Sequence, residues 1–261
     1  MAEKMKTDAA ELPGTSREAE EQQLAYVIDI AQEHLVQARK AIREANEDLA
    51  DLMEVYDAKD KEGLTLWNNA TARLKEYKQN MVRLEKARKK PYFGRIDFLA
   101  EEKQQKEAYY IGRVGISGED AQPLVLDWRA PIASVYYESD LVPVRIPFIS
   151  EGTHTIDLER KRTYEIENDR LKDYFDSDVV ANDELLTKYL AKSQKNVLGE
   201  IIATIQKEQN LLIRRSPRTN LIVQGVAGSG KTTVAMHRIS YILYNYKEDF
   251  RPEEFLYYRE Q

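Results

Sequence analysis

Residues 225–232 read Gly-Val-Ala-Gly-Ser-Gly-Lys-Thr and fit G-x-x-x-x-G-K-[ST] at every fixed position. The chemistry of that spacing is phosphate binding. Gly225, Gly228 and Gly230 let the backbone turn its N–H groups inward without Cβ clashes, and the N–H groups of Ala227 and Ser229 fall in the same concave run. A helix starting at this point adds its unpaired donors and its dipole. Lys231 then reaches the β- and γ-phosphates, the Thr232 hydroxyl takes Mg²⁺, and Thr233 completes the nucleotide-contacting stretch. Lys231 is the one residue here with a catalytic part. An inert strand-to-helix turn would have no use for Lys-Thr directly after the last glycine.

Such a loop needs a strand before it and a helix after it. "LIVQ", 221–224, is the expected strand, and residues 231–246 carry the expected helix. Further upstream the clearest periodicity is a heptad seam: Leu24, Ile28, Ala31, Leu35, Ala38, Ile42, Ala45, Leu49, Leu52 and Tyr56. A second seam runs through Trp67, Ala70, Leu74, Tyr77, Met81 and Leu84, and the polar stretch 57–63 between them predicts a turn. The register sets Leu49 and Leu52 against Trp67 and Ala70. Two long antiparallel helices with narrow seams predict an arm that projects from the body, its tip at 57–63, rather than a pair lying flat on it. Thr15 or Ser16 caps the first helix, and Lys89, Lys90 and Pro91 end the second.

From Tyr92 the chain changes character. "YFGRIDF", "EAYYIGRVGI", "PLVLDWRAPIASVYYE" and "LVPVRIPFI" are rich in β-branched and aromatic residues and are separated by turn residues. They predict a small antiparallel sheet, continued by a hairpin near 154–167. Asp127 and Arg129 of "DWRAP" read as a structural pair, and Trp128 as core. Residues 182–213 return to helical spacing. The expected fold class is α+β leading into α/β. Its parts are a flexible tail over 1–15, a coiled-coil arm over 16–90, a small β-rich domain over 91–180, and the start of a P-loop (RecA-like) ATP-binding domain over 181–261.

Composition excludes several alternatives. The chain of 261 residues contains no cysteine, which removes disulfides, thiolate catalysis and Cys-ligated zinc. A net charge of −6 argues against a dedicated nucleic-acid coat. No apolar stretch is long enough for a signal peptide's core or a membrane span, so a cytoplasmic monomer with no membrane partner is expected.

Gln209 stands in "IQKEQNLLI" just ahead of the phosphate-loop strand, and His237-Arg238 follow the loop. This arrangement resembles UvrD/Rep-like superfamily-one helicases. The resemblance implies that the Gln209 amide pairs with N6 and N7 of adenine and selects ATP. His237 reads as structural rather than catalytic. Adding "YFGRIDF", "YYIGRVGI", "VLDWRAPIASVYYE" and "GVAGSGKTTVAMHRISYILYNY", the chain is similar to the HelD family, helicase-IV-like ATPases of Gram-positive bacteria that associate with RNA polymerase. That similarity implies an arm entering the secondary channel of RNA polymerase core, as Gre-type factors do. It also implies ATP-driven removal of nucleic acid and recycling of stalled polymerase. DNA is a further possible partner in the full-length protein, and a DNA-repair helicase is the alternative reading. The acidic distal end of the arm (Asp51, Glu54, Asp57, Asp60 and Glu62) is then the candidate polymerase contact, with a solvated helical tip as the bland alternative.

The family's next aliphatic strand would follow Phe255, but the chain reads "FLYYREQ" to Gln261. One inserted T in a suitable codon run for "FYIIGSN" yields that ending. A cut or frame-shifted piece of a longer protein is therefore expected. It would bind nucleotide weakly and not hydrolyse it, because the Walker B carboxylates and the second-lobe arginines would lie downstream.

Overall fold

The structure, a computed structural model, describes residues 16–55, 61–100, 105–118, 121–137, 143–148, 152–176, 208–226, 228–252 and 255. The expected tail over 1–15, most of the helix over 182–213, and Tyr56, Asp57, Asp60 and Ala227 lie outside the described residues.

Helix α1 spans Arg17–Val55 and α2 spans Lys61–Lys89. Ser16 starts the first: its Oγ accepts from the Ala19 N–H at 3.2 Å, so Ser16 is the cap. The two seams meet as expected. Leu24, Ala31, Leu35 and Ala45 of α1 are buried, as are Ala70, Leu74 and Leu84 of α2. Leu52 and Ala70 line one distal groove. Asp48 and Arg73 pair across the helices at 2.7 Å, and Arg39 and Glu85 at 3.9 Å. Of the expected turn at 57–63, residues 61–63 already belong to α2, which begins at Lys61 and buries Gly63. Lysine and glutamate are good helix formers, so Lys61 and Glu62 are taken into the helix.

The seam is not uniform along α1. In the first turns Val27 and Ile30 are buried beside Leu24 and Ala31, although they lie off the heptad positions. They pack with Tyr92, Tyr110, Ile116, Val125 and Tyr164 of the body. Beyond Leu35 only Ala45 of α1 is fully buried, and it lies on the seam. The base of the arm is thus docked along about four turns, and the rest projects roughly 30 Å at 1.5 Å per residue.

Among the described residues the body is one seven-stranded sheet. Its strands are β1 (Gly94–Ala100), β2 (Gln105–Gly112), β3 (Ile116–Ser117), β4 (Pro123–Asp127), β5 (Pro143–Phe148), β6 (Gly152–Glu167) and β7 (Arg170–Asp176). The order is β3-β4-β2-β1-β6-β5, with β7 also paired to β6. The sheet is mixed, not antiparallel as expected, because β4 returns parallel to β2. Residues 154–167 form one long strand rather than a hairpin. The hairpin lies just beyond, where Asn168 and Asp169 take φ of 48° and 63° and join β6 to β7. "PIASVYY", 131–137, is a 3-10 helix and not a strand. It presses Ala133 and Val135 onto Ile96, Phe98, Ile111, Ile156 and Leu158 on the sheet face opposite the arm.

After the sheet, the described chain resumes as α3 (208–214) and, past the phosphate loop, α4 (Lys231–Asn245). α4 fulfils the expected helix. The expected strand at 221–224 is not formed. A strand exists only through its ladder, and among the described residues none pairs with this segment. A complete P-loop domain is accordingly not what these residues form.

Candidate functional site

The phosphate loop has the backbone its sequence requires. Gly228 and Gly230 take φ of 81° and 86°, in the left-handed region that favours glycine. A Cβ on Gly225 would stand 2.5 Å from the Ser229 Oγ, so a side chain there would have to turn that hydroxyl aside. Gly230 is the N-cap of α4 and supplies no side-chain cap, which leaves the first-turn donors to another acceptor. The Lys231 ammonium folds back over the loop, donating to the Gly225 and Val226 carbonyls at 2.7 and 2.8 Å. Thr232 and Thr233 are exposed in the first turn of α4. A cation poised at the loop's mouth and an uncapped helix start fit a triphosphate with its Mg²⁺. Gln209 comes to the same place: its Nε2 lies 3.4 Å from where a Cβ on Gly230 would stand. The sequence-predicted residues Gln209, Gly225, Gly228, Ser229, Gly230, Lys231, Thr232 and Thr233 therefore share one neighbourhood.

The loop's two helices are fastened to the sheet through "DWRAP". Asp127 and Arg129 form the expected pair, with Arg129 Nε and Nη2 donating to the two carboxylate oxygens at 2.8 and 2.6 Å. The same guanidinium donates to Ser240 Oγ at 3.2 Å and lies over the Tyr244 ring at 4.5 Å. Asn245 Nδ2 donates to the Arg129 carbonyl at 3.0 Å. Trp128 is less buried than a core residue, and it bridges. It packs with the sheet core on one side, with Ile213, Val234, Tyr241 and Ile242 on the other, and against the His237 ring at 5.3 Å. His237 is exposed and packs its ring against that indole. The "DWRAP" turn joins the sheet to the phosphate-loop helices, a role beyond the folding of the sheet alone.

The arm's acidic end is only partly within the described residues. Asp51, Glu54 and Glu62 are exposed, and Asp48 is held by Arg73. Met53, Val55 and Leu64 are exposed beside them. Among the described residues no group of three or more His, Asp or Glu side chains is placed to hold a metal.

The structural feature that sequence reasoning missed is a buried charge network where the arm meets the sheet. Tyr110 of β2, Arg95 of β1 and Arg162 of β6 stand opposite one another in a row across three strands. Two arginines directly opposite would repel. Glu20 of α1 is set over that row, fully buried. Its Oε1 accepts from Arg95 Nη1 at 3.0 Å and Arg162 Nη1 at 2.8 Å, and its Oε2 from the Tyr110 hydroxyl at 3.0 Å. Asp97 takes Arg95 Nε at 2.6 Å and also binds Arg160, while Asp176 takes Arg162 through two bonds at 2.6 and 2.8 Å. Three guanidiniums thus face three carboxylates. Burial pushes the Tyr110 hydroxyl up to about 12; Glu20 adds to the rise and Arg95 opposes it.

An arm of two long helices clamped to a mixed sheet, with a Gly-rich Lys-Thr loop fastened to that sheet, defines an arm-bearing module joined to a nucleotide-loop motif. The family model of the N-terminal domain of DNA helicase IV HelD matches residues 18–192, more than half of the chain, and the chain belongs to that family. The matched stretch contains the arm and the sheet and ends before Gln209. No curated protein matches the chain at a significant level. Among the described residues no helix is long and apolar enough to cross a membrane.

Proposed function

We propose that this chain is the polymerase-engaging front part of a HelD-like, ATP-dependent, helicase-like protein that clears nucleic acid from stalled RNA polymerase and recycles it. The observation that carries the reading is the clamped arm. A probe that must enter a channel has to be stiff at its root, and here a charge network centred on the buried Glu20 fixes the root. The acidic end, with Asp51, Glu54 and Glu62 exposed and Asp57 and Asp60 beside them in sequence, enters the secondary channel. ATP with Mg²⁺ binds at the loop: Lys231 leaves the Gly225 and Val226 carbonyls for the β- and γ-phosphates, Thr232 takes the metal, and Gln209 reads the base.

Competition with a Gre-type factor for core RNA polymerase tests the arm. The parent chain displaces the factor, and deletion of residues 45–72 abolishes displacement. Joint neutralisation of Asp51, Glu54, Asp57 and Asp60 to Asn or Gln slows association and flattens its salt dependence. Displacement by both variants as effective as the parent's would reduce the coiled coil to a structural appendage. The family's own description as a DNA helicase favours a second reading, action on DNA in repair. DNA binding by the chain that survives the 45–72 deletion, without polymerase binding, would favour it.

A further inference from the structure

We propose that Arg238 and Arg214 are positioning residues for base recognition: they hold the helix that carries Gln209 against the phosphate loop, and so set the amide where a nucleotide's base would meet it. The proposal rests on the nucleotide-binding reading above.

The described part of α3, 208–214, carries Gln209 near its start. It is held at its C-terminal end from two directions. Arg238, two turns into α4, donates from Nη1 to the Leu212, Ile213 and Arg215 carbonyls at 2.9, 3.2 and 2.7 Å, and from Nη2 to the Ser216 carbonyl at 3.0 Å. These belong to the last turn of α3 and the chain just after it. Such carbonyls lack intrahelical donors and carry the negative end of the helix dipole. Arg214, on α3 itself, donates to Asn210 Oδ1 at 2.7 Å and to the Ala130 carbonyl at 3.0 Å, and it binds the Trp128 carbonyl as well. One arginine thus ties α3 to the helix that begins with Lys231, and the other ties it to the "DWRAP" turn of the arm-bearing sheet.

The consequence falls on Gln209. Its amide nitrogen stands beside Gly230, 3.4 Å from the position of a Cβ there. Paired hydrogen bonds from one amide to adenine tolerate displacements of only about half an ångström. Slack at either arginine becomes displacement at the amide, while the phosphate cradle at 225–232 keeps its own backbone. The arginines should therefore govern which base is accepted and leave phosphate affinity alone. A purely structural cap would move both together or neither.

Calorimetric titration of the whole 261-residue chain with ATP, GTP and inorganic tripolyphosphate, each with Mg²⁺, makes the separation. The parent is expected to prefer ATP over GTP by about tenfold or more. Arg238→Ala should narrow that preference to within about twofold and leave tripolyphosphate binding unchanged, and Arg238→Lys, which keeps the cationic donor, should restore most of it. Gln209→Ala should narrow the preference equally, and the double variant should narrow it no further. If Arg238→Ala fails to fold by circular dichroism, Arg238→Gln and Arg214→Gln carry the same comparison. Retention of the parent's preference by these variants overturns the positioning role and leaves the nucleotide reading standing. Loss of tripolyphosphate binding together with the preference makes Arg238 a support of the whole loop and overturns the proposal too. A parent that binds none of the three probes, or takes ATP and GTP alike, overturns the nucleotide reading and this proposal with it.

Discussion

Removing the Glu20 carboxylate should loosen the root of the arm more than any other single change of charge. Glu20 accepts three hydrogen bonds, from Arg95, Arg162 and Tyr110, and is shielded fully from water. In Glu20→Gln the side chain keeps its shape but loses its charge and one acceptor. Three guanidiniums then face two carboxylates, Asp97 and Asp176, and Arg95 stands opposite Arg162 with no negative charge between them. Breaking a buried pair by removing one partner costs about 3–5 kcal/mol, because the remaining charge is left uncompensated. Near the transition that corresponds to a fall of roughly 6–20 °C in melting temperature for a domain of this size. Urea unfolding followed by circular dichroism and by tryptophan fluorescence measures the loss. Arg162→Met should recover part of it in the Glu20→Gln background, since two guanidiniums then face two carboxylates. Stability of Glu20→Gln and Glu20→Ala within about 1 kcal/mol of the parent would refute the clamp, and the arm's root would have to be held by Leu24, Val27 and Ile30 alone.

Three further outcomes follow from the same contacts. Leu35→Asp places a carboxylate in the seam, where Leu35 is almost wholly buried, and should cost several kcal/mol in urea unfolding. Tyr110 is neutral in both folded and unfolded chains below its ordinary pKa near 10, so its contribution is intact there. As pH rises from about 10 towards 12 the unfolded chain ionises first and stability falls, which tyrosinate absorbance and circular dichroism should report together. Lys231→Ala removes the cation over the loop and should abolish ATP binding in calorimetry while leaving the arm's helical signal unchanged.

The arm was legible because its seam repeats every 3.5 residues over many turns, and each seam position reports the same partner. Its docking to the sheet was less so. "LAYVIDIA", 24–31, is wider in apolar residues than a two-position seam needs, and that width was the available sign that a second surface covers Val27 and Ile30. Glu20 gave no sign at all. It sits among Glu18 and Glu21, and only the row formed by strands far away in sequence selects it for burial. The parallel pairing of β2 with β4 is equally non-local. "PIASVYY" has the composition of a strand but is spent as a 3-10 helix, because Ala133 and Val135 fill the sheet face left open by the arm. At the phosphate loop the reverse holds. Glycine spacing, lysine and threonine act locally, so the motif predicted its own backbone, whereas the strand before it depends on neighbours and did not form.

Charge clamps and carbonyl anchors divide the labour in this chain. On one face of the sheet, Glu20 fixes the arm through ionic bonds that reach side chains. At the β4 end, Arg214, Arg129 and Asn245 fix the phosphate-loop helices largely through bonds that reach backbone carbonyls of 128–130 and the side chains beside them. Both attachments meet strands of the same short ladder: Tyr110 and Val125 are register partners of β2 and β4, and Asp127 ends the strand that Val125 lies in. Tyr110 touches Glu20, and Asp127 holds Arg129. From the root of the arm to the helix that begins with Lys231 there are thus few steps: the β2–β4 ladder, the "DWRAP" turn and the part-buried bond from Arg129 to Ser240. An arm seated in a partner and a nucleotide seated in the loop would therefore each constrain the same piece of sheet.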